Sequence, residues 1–315
     1  MNKNSKILIT GAAGFLGANL TKFFYNNNKN ISILIKKKSN LWRINDIKKE
    51  LDIHYVNIKN KKEVFTKIKE IKPDYVYHFT TYGVYPSQNN FEEIIKTNIL
   101  GTSNILHALE QYGIKRLVNI GSGFEYGTRK NRIKETDCVN PLTPYAITKV
   151  TQSLFVKYFS EIRNVPSVTL RVFTPYGKME SKGRLISDIM LSIIKNKTLH
   201  LSSMYSYRDF IFIDDVINAL KKAANTPKIE SEIFNIGSGK ATSIKKIVDT
   251  SIKLVKKSPQ IKWNSNEPRS MDKFQTTSFS DLKKSEKLLK WKPSTSLEKG
   301  LEKTYLWYKK NSNLY

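Results

Sequence analysis

Seven short apolar runs constrain this chain more than any other feature: KILIT (6–10), ISILI (31–35), LDIHYV (51–56), DYVYHF (74–79), RLVNIG (116–121), PSVTLRVF (166–173) and IFNIG (233–237). Longer amphipathic stretches separate the earlier ones, at about 14–27, 61–71, 91–112 and 144–163, with another at 214–225. Strands of this length alternating with helices predict βαβ units. Right-handed crossovers then give a doubly wound parallel sheet with helices on both faces. After Phe173 the rhythm changes, with helices expected near 183–195, 243–257, 281–289 and 296–310 and no clear βαβ alternation. The expected architecture is therefore an α/β, Rossmann-like domain from residues 1–173 and 209–237. Residues 174–208 and 238–315 would form a smaller substrate domain, leaving a ligand cleft at the carboxyl ends of the strands.

Charge needs a separate argument. Across 315 residues, 54 Lys and Arg against 27 Asp and Glu give a formal net charge of +27, which alone would point to nucleic acid or an anionic membrane. Only nine of those basic residues are Arg, and the lysines run through helices, loops and tail alike. A solvated Lys-rich surface explains this better than a designed patch, so neither nucleic acid nor membrane is expected as a partner. Cys138 is the single cysteine, which rules out an intrachain disulfide and a Cys-based metal site and fits a reducing compartment. The four histidines show no metal-ligand spacing, so no metal is expected. No stretch matches a signal peptide or the roughly 20 apolar residues of a membrane span, and the expected location is the cytoplasm.

The first strand runs directly into GAAGFLG, where Gly11, Gly14 and Gly17 open an amphipathic helix. That strand–turn–helix context lets a pyrophosphate approach the backbone at a helix N-terminus, and it predicts dinucleotide binding. The second strand ends in Lys36, Lys37 and Lys38, followed by Ser39 and Asn40, with no carboxylate between Tyr25 and Asp46. A free ribose 2′-hydroxyl prefers an acidic residue here and a 2′-phosphate prefers cations, so NADP(H) is expected over NAD(H).

Farther along, Thr143 and Pro144 suit a helix start, placing Tyr145 at its first turn and Lys149 one turn later on the same face. A neighbouring ammonium or oxidised nicotinamide would favour the phenolate and fit Tyr145 for proton transfer. Ser122, at the end of the fifth strand in GSGFEYG, offers a hydroxyl at the same sheet edge. By contrast, His78 lies in an apolar strand and reads as a packed, hydrogen-bonded residue. Glu125 reads as a carboxylate orienting its own loop at least as well as a catalytic one. NIGSGKATS has Phe234 where a phosphate loop needs its first Gly, and Ala241 where it needs Ser or Thr, so NTP hydrolysis is not expected.

Taken in order, GAAGFLG, Asn98 in TNILGT, Ser122 before Tyr126-Gly127, YAITK, LRVFTPYG, YRDFIFIDDV and NIGSG resemble the extended short-chain dehydrogenase/reductases that act on nucleotide sugars. The resemblance covers nearly the whole chain. It implies Tyr145 as acid/base, Lys149 on the nicotinamide ribose, and Ser122 on the reacting sugar oxygen. It implies the GAAGFLG amides, Phe15 and Leu16 included, on the pyrophosphate, with Lys36 or Lys37 at a 2′-phosphate. Asn57 and Ile58 would face the adenine, with Phe79, Thr80 and Phe173 lining the nicotinamide pocket and Asn98 joining the cofactor site. Arg208 and Arg269 would clamp the substrate diphosphate. Thr174 stands where the family usually has Asn before Tyr-Gly. The family also implies a homodimer, formed through the helices at about 91–112 and 144–163.

Members that dehydrate the sugar carry an Asp-Glu pair after the catalytic hydroxyl, whereas this chain has Gly123 and Phe124, neither able to move a proton. Members that invert carbons 3 and 5 use a Cys near this loop, and Cys138 lies elsewhere. Two enzyme readings remain, and the basic strand end favours the first: NADPH-dependent reduction of a nucleotide-linked 4-keto sugar in surface-polysaccharide sugar biosynthesis. KKKSNLWRI and GSGFEYG also look like the synthases that reduce CDP-4-keto-6-deoxy sugars. The alternative is an NAD-dependent 4-epimerase. A non-catalytic, RNA-binding member of the fold is the rival of a different class, disfavoured because Ser122, Tyr145 and Lys149 are all present.

Overall fold

A computed structural model describes residues 2, 4–27, 29–265 and 277–315. Its main sheet has seven parallel strands, β1 (Lys6–Thr10), β2 (Asn30–Ile35), β3 (Asp52–Tyr55), β4 (Tyr75–His78), β5 (Arg116–Ser122), β6 (Ser167–Val172) and β7 (Ile233–Ile236), in the spatial order β3-β2-β1-β4-β5-β6-β7. The order reverses between β1 and β4, which opens a crevice at their carboxyl ends. The longer helices are α1 (Phe15–Tyr25), α2 (Lys61–Ile71), α3 (Gly101–Tyr112), α4 (Pro144–Glu161), α5 (Leu185–Lys195), α6 (Ile213–Asn225), α7 (Ile244–Val255) and α8 (Leu297–Asn311).

Strand alternation decides which face each side chain serves. Ile7 and Ile9 join the core beneath α1 and α6, while Leu8 between them joins the opposite core, built with Val64 of α2, Ile105 of α3 and Val156 of α4. A sheet covered on both faces needs apolar residues at both parities, which is why these strands read as continuous apolar runs. The smaller C-terminal part packs α5, α7 and α8 together, beside short strand pairs such as Thr174–Tyr176 with Phe210–Phe212. Tyr176, Phe212, Leu301 and Tyr308 carry the first core into it without a break.

One expected helix is interrupted. The stretch at 91–112 forms a short helix, Phe91–Ile95, a π-helical turn, Lys96–Leu100, and only then α3. The wider turn lets the wholly buried Asn98 side chain bond sideways rather than pack along a regular helix. Its Oδ1 accepts from Tyr82 N (2.8 Å), and its Nδ2 donates to Tyr82 O (2.9 Å) and Thr148 Oγ1 (2.8 Å). Among the described residues no helix is long and apolar enough to cross a membrane.

Candidate active site

A cleft of about 450 Å³ opens at the carboxyl ends of β1, β2, β4, β5 and β6. One end is made of backbone. Gly11 (φ 68°), Gly14, Phe15, Leu16 and Gly17 line it, with Phe79 and Thr80 across from them. A Cβ on Gly17 would stand 2.4 Å from Gly11 O, and one on Gly11 would stand 2.8 Å from Thr80 N, so only glycine closes this turn. Gly14 then caps α1, whose first-turn N–H groups have no carbonyl a turn earlier to bond. A turn free of side chains that ends on uncompensated N–H groups fits a dinucleotide pyrophosphate.

The far wall carries the polar groups. Thr143 Oγ1 accepts from Ala146 N (3.2 Å) and Pro144 occupies the first turn, which starts α4 where Tyr145 faces the cleft. Lys149, one turn on and buried, donates to Ile120 O (2.8 Å), with Nζ 5.9 Å from the centre of the Tyr145 ring. Ser122 ends β5, and its Oγ accepts from Phe124 N (3.2 Å). Burial pushes the Tyr145 phenol up to about 12, opposed by a hydrogen bond with Ser122. Burial likewise draws the Lys149 ammonium down to about 8, opposed by the Glu125 charge. The Lys149 ammonium is therefore not what the protein uses to lower Tyr145 on its own; desolvation wins at both groups.

Glu125 supports this wall from behind. Its Oε1 accepts from Ser122 N (2.8 Å), while Oε2 accepts from Ser153 Oγ (2.9 Å) and pairs with Arg171 Nε (2.7 Å). The residue is fully buried and lies outside the cleft lining, so its carboxylate fixes the Ser122 loop to α4 and β6. His78 is also structural: Nδ1 bonds with Thr10 Oγ1 (2.7 Å) and Nε2 with Thr102 Oγ1 (3.0 Å), and burial draws its pKa down to about 3. The NIGSG loop spends its donors on a protein carboxylate, since Asp209 accepts from Ser238 N (2.5 Å), Ser238 Oγ (2.6 Å) and Gly239 N (3.3 Å).

Comparison with known proteins agrees with this geometry. Residues 7–237 match the model of the NAD dependent epimerase/dehydratase family. The chain belongs to this family. It is 28% identical to the UDP-glucuronate 4-epimerase of Thermodesulfobacterium geofontis, over 98% of this chain and 97% of that protein. Among solved structures, the epimerase Mth375 of Methanothermobacter thermautotrophicus aligns with a TM-score of 0.89 at 25% identity, over 99% of this chain and 94% of that one. A UDP-glucuronic acid 4-epimerase from Bacillus cereus, in complex with UDP-glucuronic acid and NAD, aligns with a TM-score of 0.85 at 26% identity, over 98% and 100%. The chain thus has the NAD(P)-binding oxidoreductase fold of the epimerase/dehydratase family.

Two expectations are corrected by these relatives. The similar Bacillus cereus epimerase is solved with NAD, which overturns NADP(H) as the expected cofactor. The structure shows why the lysines misled. Lys37 and Lys38 are exposed in the turn after β2 and outside the cleft lining, and Lys36, which does line it, holds Nζ 5.9 Å over the Tyr82 ring. In a chain this rich in lysine, charge at an exposed turn says little about a phosphate. The NADPH-dependent 4-keto reductase falls with the cofactor, because relatives named as epimerases and dehydratases match across the whole chain. Net reduction consumes a reduced cofactor, whereas a retained NAD returns the hydride it takes.

The family residues do not all meet in the cleft. Ile58 lines it, but Asn57 is exposed outside the lining, its Oδ1 accepting from Lys59 N (3.2 Å). Asn98 sits behind the wall, in the bonds described above. Phe173 lines both the cleft and a small adjoining depression, where Thr174 and Arg208 stand together with Phe124. Arg269 falls outside the described residues. Conversely, Ser39, Asn40, Arg43, Glu180 and Arg184 line the cleft without having been picked out as site residues. In sequence Ser39 and Asn40 stand out only as neighbours of the lysine run, and Arg43 only as part of the KKKSNLWRI segment.

Proposed function

We propose that this chain is an NAD-dependent 4-epimerase of a nucleotide-linked hexose, with UDP-sugars the first substrates to test. The observation that carries the proposal is the meeting of Ser122, Tyr145 and Lys149 on one wall of a cleft whose opposite end is a glycine turn at a helix N-terminus. The UDP-sugar epimerases among its relatives support it. Bound NAD would supply a reversible hydride acceptor for the sugar's carbon 4.

The protein's own groups handle the proton and the orientation. Tyr145 takes the proton of the 4-hydroxyl and later returns it, and Ser122 donates to the same oxygen. Tyr145 starts well above neutrality, at about 12. The positive charge of an oxidised nicotinamide, added to Lys149, is what would bring it into a useful range. Hydride return to the other face requires the oxidised sugar to turn within the site, beside Phe124 and Phe173 of the cleft lining. Gly123 and Phe124 leave elimination of water without an acid and base at that loop, so epimerisation is favoured over dehydration. Thr174, Arg208 and Arg269 would hold the nucleotide diphosphate, and Asn98 would position the 80–82 loop.

A second copy is the proposed partner. Ile147, Leu154 and Tyr158 form one exposed apolar stripe on α4, 48%, 58% and 45% accessible, and Phe91 and Leu100 are exposed on the neighbouring helical segment.

The test is incubation with NAD and UDP-glucose, UDP-glucuronate or dTDP-glucose, with the product read by NMR at carbon 4. Inversion at carbon 4 without net NADH is expected, and Tyr145→Phe should cut turnover by about 10³-fold while NAD still binds. A 4-keto-6-deoxy product, or NADH formed in step with product, would replace this reading.

A further inference from the structure

Arg43 joins the two halves of the cleft, and it does so with neutral partners. It lies in the β2–β3 connection, is 8% exposed, and lines the cleft. Its Nη1 donates to Ala13 O (3.2 Å) in the glycine turn, its Nε to Met179 O (2.8 Å), and its Nη2 to Ser181 Oγ (2.5 Å). The Trp42 ring covers the guanidinium at 4.4 Å. Among the described residues no carboxylate lies within ion-pair distance of it.

Ser181 Oγ is shared, since Oη of Tyr85, which also lines the cleft, bonds to it at 2.9 Å. Tyr85 belongs to a loop held in shape by Gln88, whose Oε1 accepts from the backbone N–H groups of Gly83 (3.0 Å) and Val84 (3.1 Å). Met179 adopts φ 65°, an unusual conformation for a side chain of its kind, and its carbonyl is one that Arg43 holds. Glu180 and Arg184, on the same segment, face the cleft.

A buried guanidinium whose hydrogen bonds all go to neutral acceptors carries a desolvation cost that the longer-range charge of Glu180 offsets only in part, and a purely structural strut of apolar residues would avoid it. Phosphates bound at the adjoining glycine turn would supply the missing anion. We propose that Arg43 is a positioning residue that couples the sites: dinucleotide at the glycine turn stabilises its charge, and its fork then holds the 179–184 segment ordered for the nucleotide sugar. This rests on the proposed NAD and nucleotide-sugar reading. Because coupling is reciprocal, a nucleoside diphosphate in the sugar site must tighten dinucleotide binding by the same factor, and with the 179–184 segment ordered over the cleft the proposal places that tightening in slower release.

The experiment follows NADH release from NADH-loaded protein by stopped-flow fluorescence, with and without saturating UDP, dTDP or CDP. In the wild type at least one diphosphate should slow release by about 10-fold, within the usual span of such couplings. In Arg43→Lys, which keeps the charge but not the fork, and in Ser181→Ala, the slowing should fall below about 3-fold. A merely structural role would speed release equally with and without the diphosphate. Should Arg43→Lys fail to fold, Ser181→Ala, at a half-exposed position, carries the test. A diphosphate effect absent from the wild type, or undiminished in both folded variants, overturns the coupling alone. Wild-type protein that binds no NADH overturns the cofactor reading and the coupling with it.

Discussion

The two ends of the cleft are made of different material. The cofactor end is mostly backbone, drawn from one continuous turn, residues 11–17, and closed by Phe79 and Thr80 at the end of the next strand in space. The end proposed for the substrate is made of side chains from separated segments: Arg43, Tyr85, Glu180 and Arg184 in the cleft, Thr174 and Arg208 in the depression beside it. A backbone site is specified by what is missing, namely side chains at a few positions. A side-chain site is specified by what is added, and each addition can be altered separately. The first should therefore fail abruptly and the second by degrees.

Gly17→Ala is the sharpest test of the first half of that statement. The new methyl would stand 2.4 Å from Gly11 O, and backbone must move to admit it. Roughly 100-fold weaker NAD binding, about 3 kcal/mol by calorimetry, is expected from a single carbon. Affinity within 3-fold of wild type would show that the turn flexes and that the pyrophosphate is not held there. Arg208→Ala tests the other half. If its guanidinium meets the sugar's diphosphate, the KM for the nucleotide sugar rises about 10- to 100-fold, as expected for one lost charge-assisted bond. NAD affinity should stay unchanged in the same protein, so a parallel loss of both would place Arg208 in the fold instead of the site.

The same contrast explains what could be read in advance. Strand and helix positions follow from periodicity, and GAAGFLG is recognisable because its glycines, strand and helix are neighbours in sequence. The Ser122–Tyr145–Lys149 wall was also accessible, since each residue sits at the end of a strand or the start of a helix. Arg43 was not, because its partners Met179 and Ser181 lie 136 and 138 residues away and nothing local marks them. The π-helical turn at Lys96–Leu100 escaped for a related reason: Asn98 leaves the helical pattern to bond with Tyr82 and Thr148, contacts that periodicity cannot register. Lys36 to Lys38 show the opposite error. Their charge was visible, but its direction was not, and most of it faces solvent.

Lys149 stands between the two kinds of site, because it acts through one ammonium that the protein buries at a cost. Its pKa falls from 10.5 to about 8 in the folded chain, chiefly by desolvation. Below about pH 8 folded and unfolded chains both carry the proton, and the folded state bears the whole penalty. Between about pH 8 and 10.5 the unfolded chain still binds the proton that the folded one has released, so this contribution to stability rises with pH. Lys149→Met removes the penalty together with the bond to Ile120 O. Without added NAD, the variant should be more stable than wild type at pH 7 by about 1–2 kcal/mol in urea unfolding, net of the lost hydrogen bond. The advantage should vanish near pH 10.5, although the variant turns over substrate poorly at any pH. A Lys149→Met protein less stable than wild type at pH 7 would mean that Ile120 O and the Glu125 charge more than repay the burial. Lys149 would then be a structural cation that catalysis borrows, and not a strained one kept for catalysis.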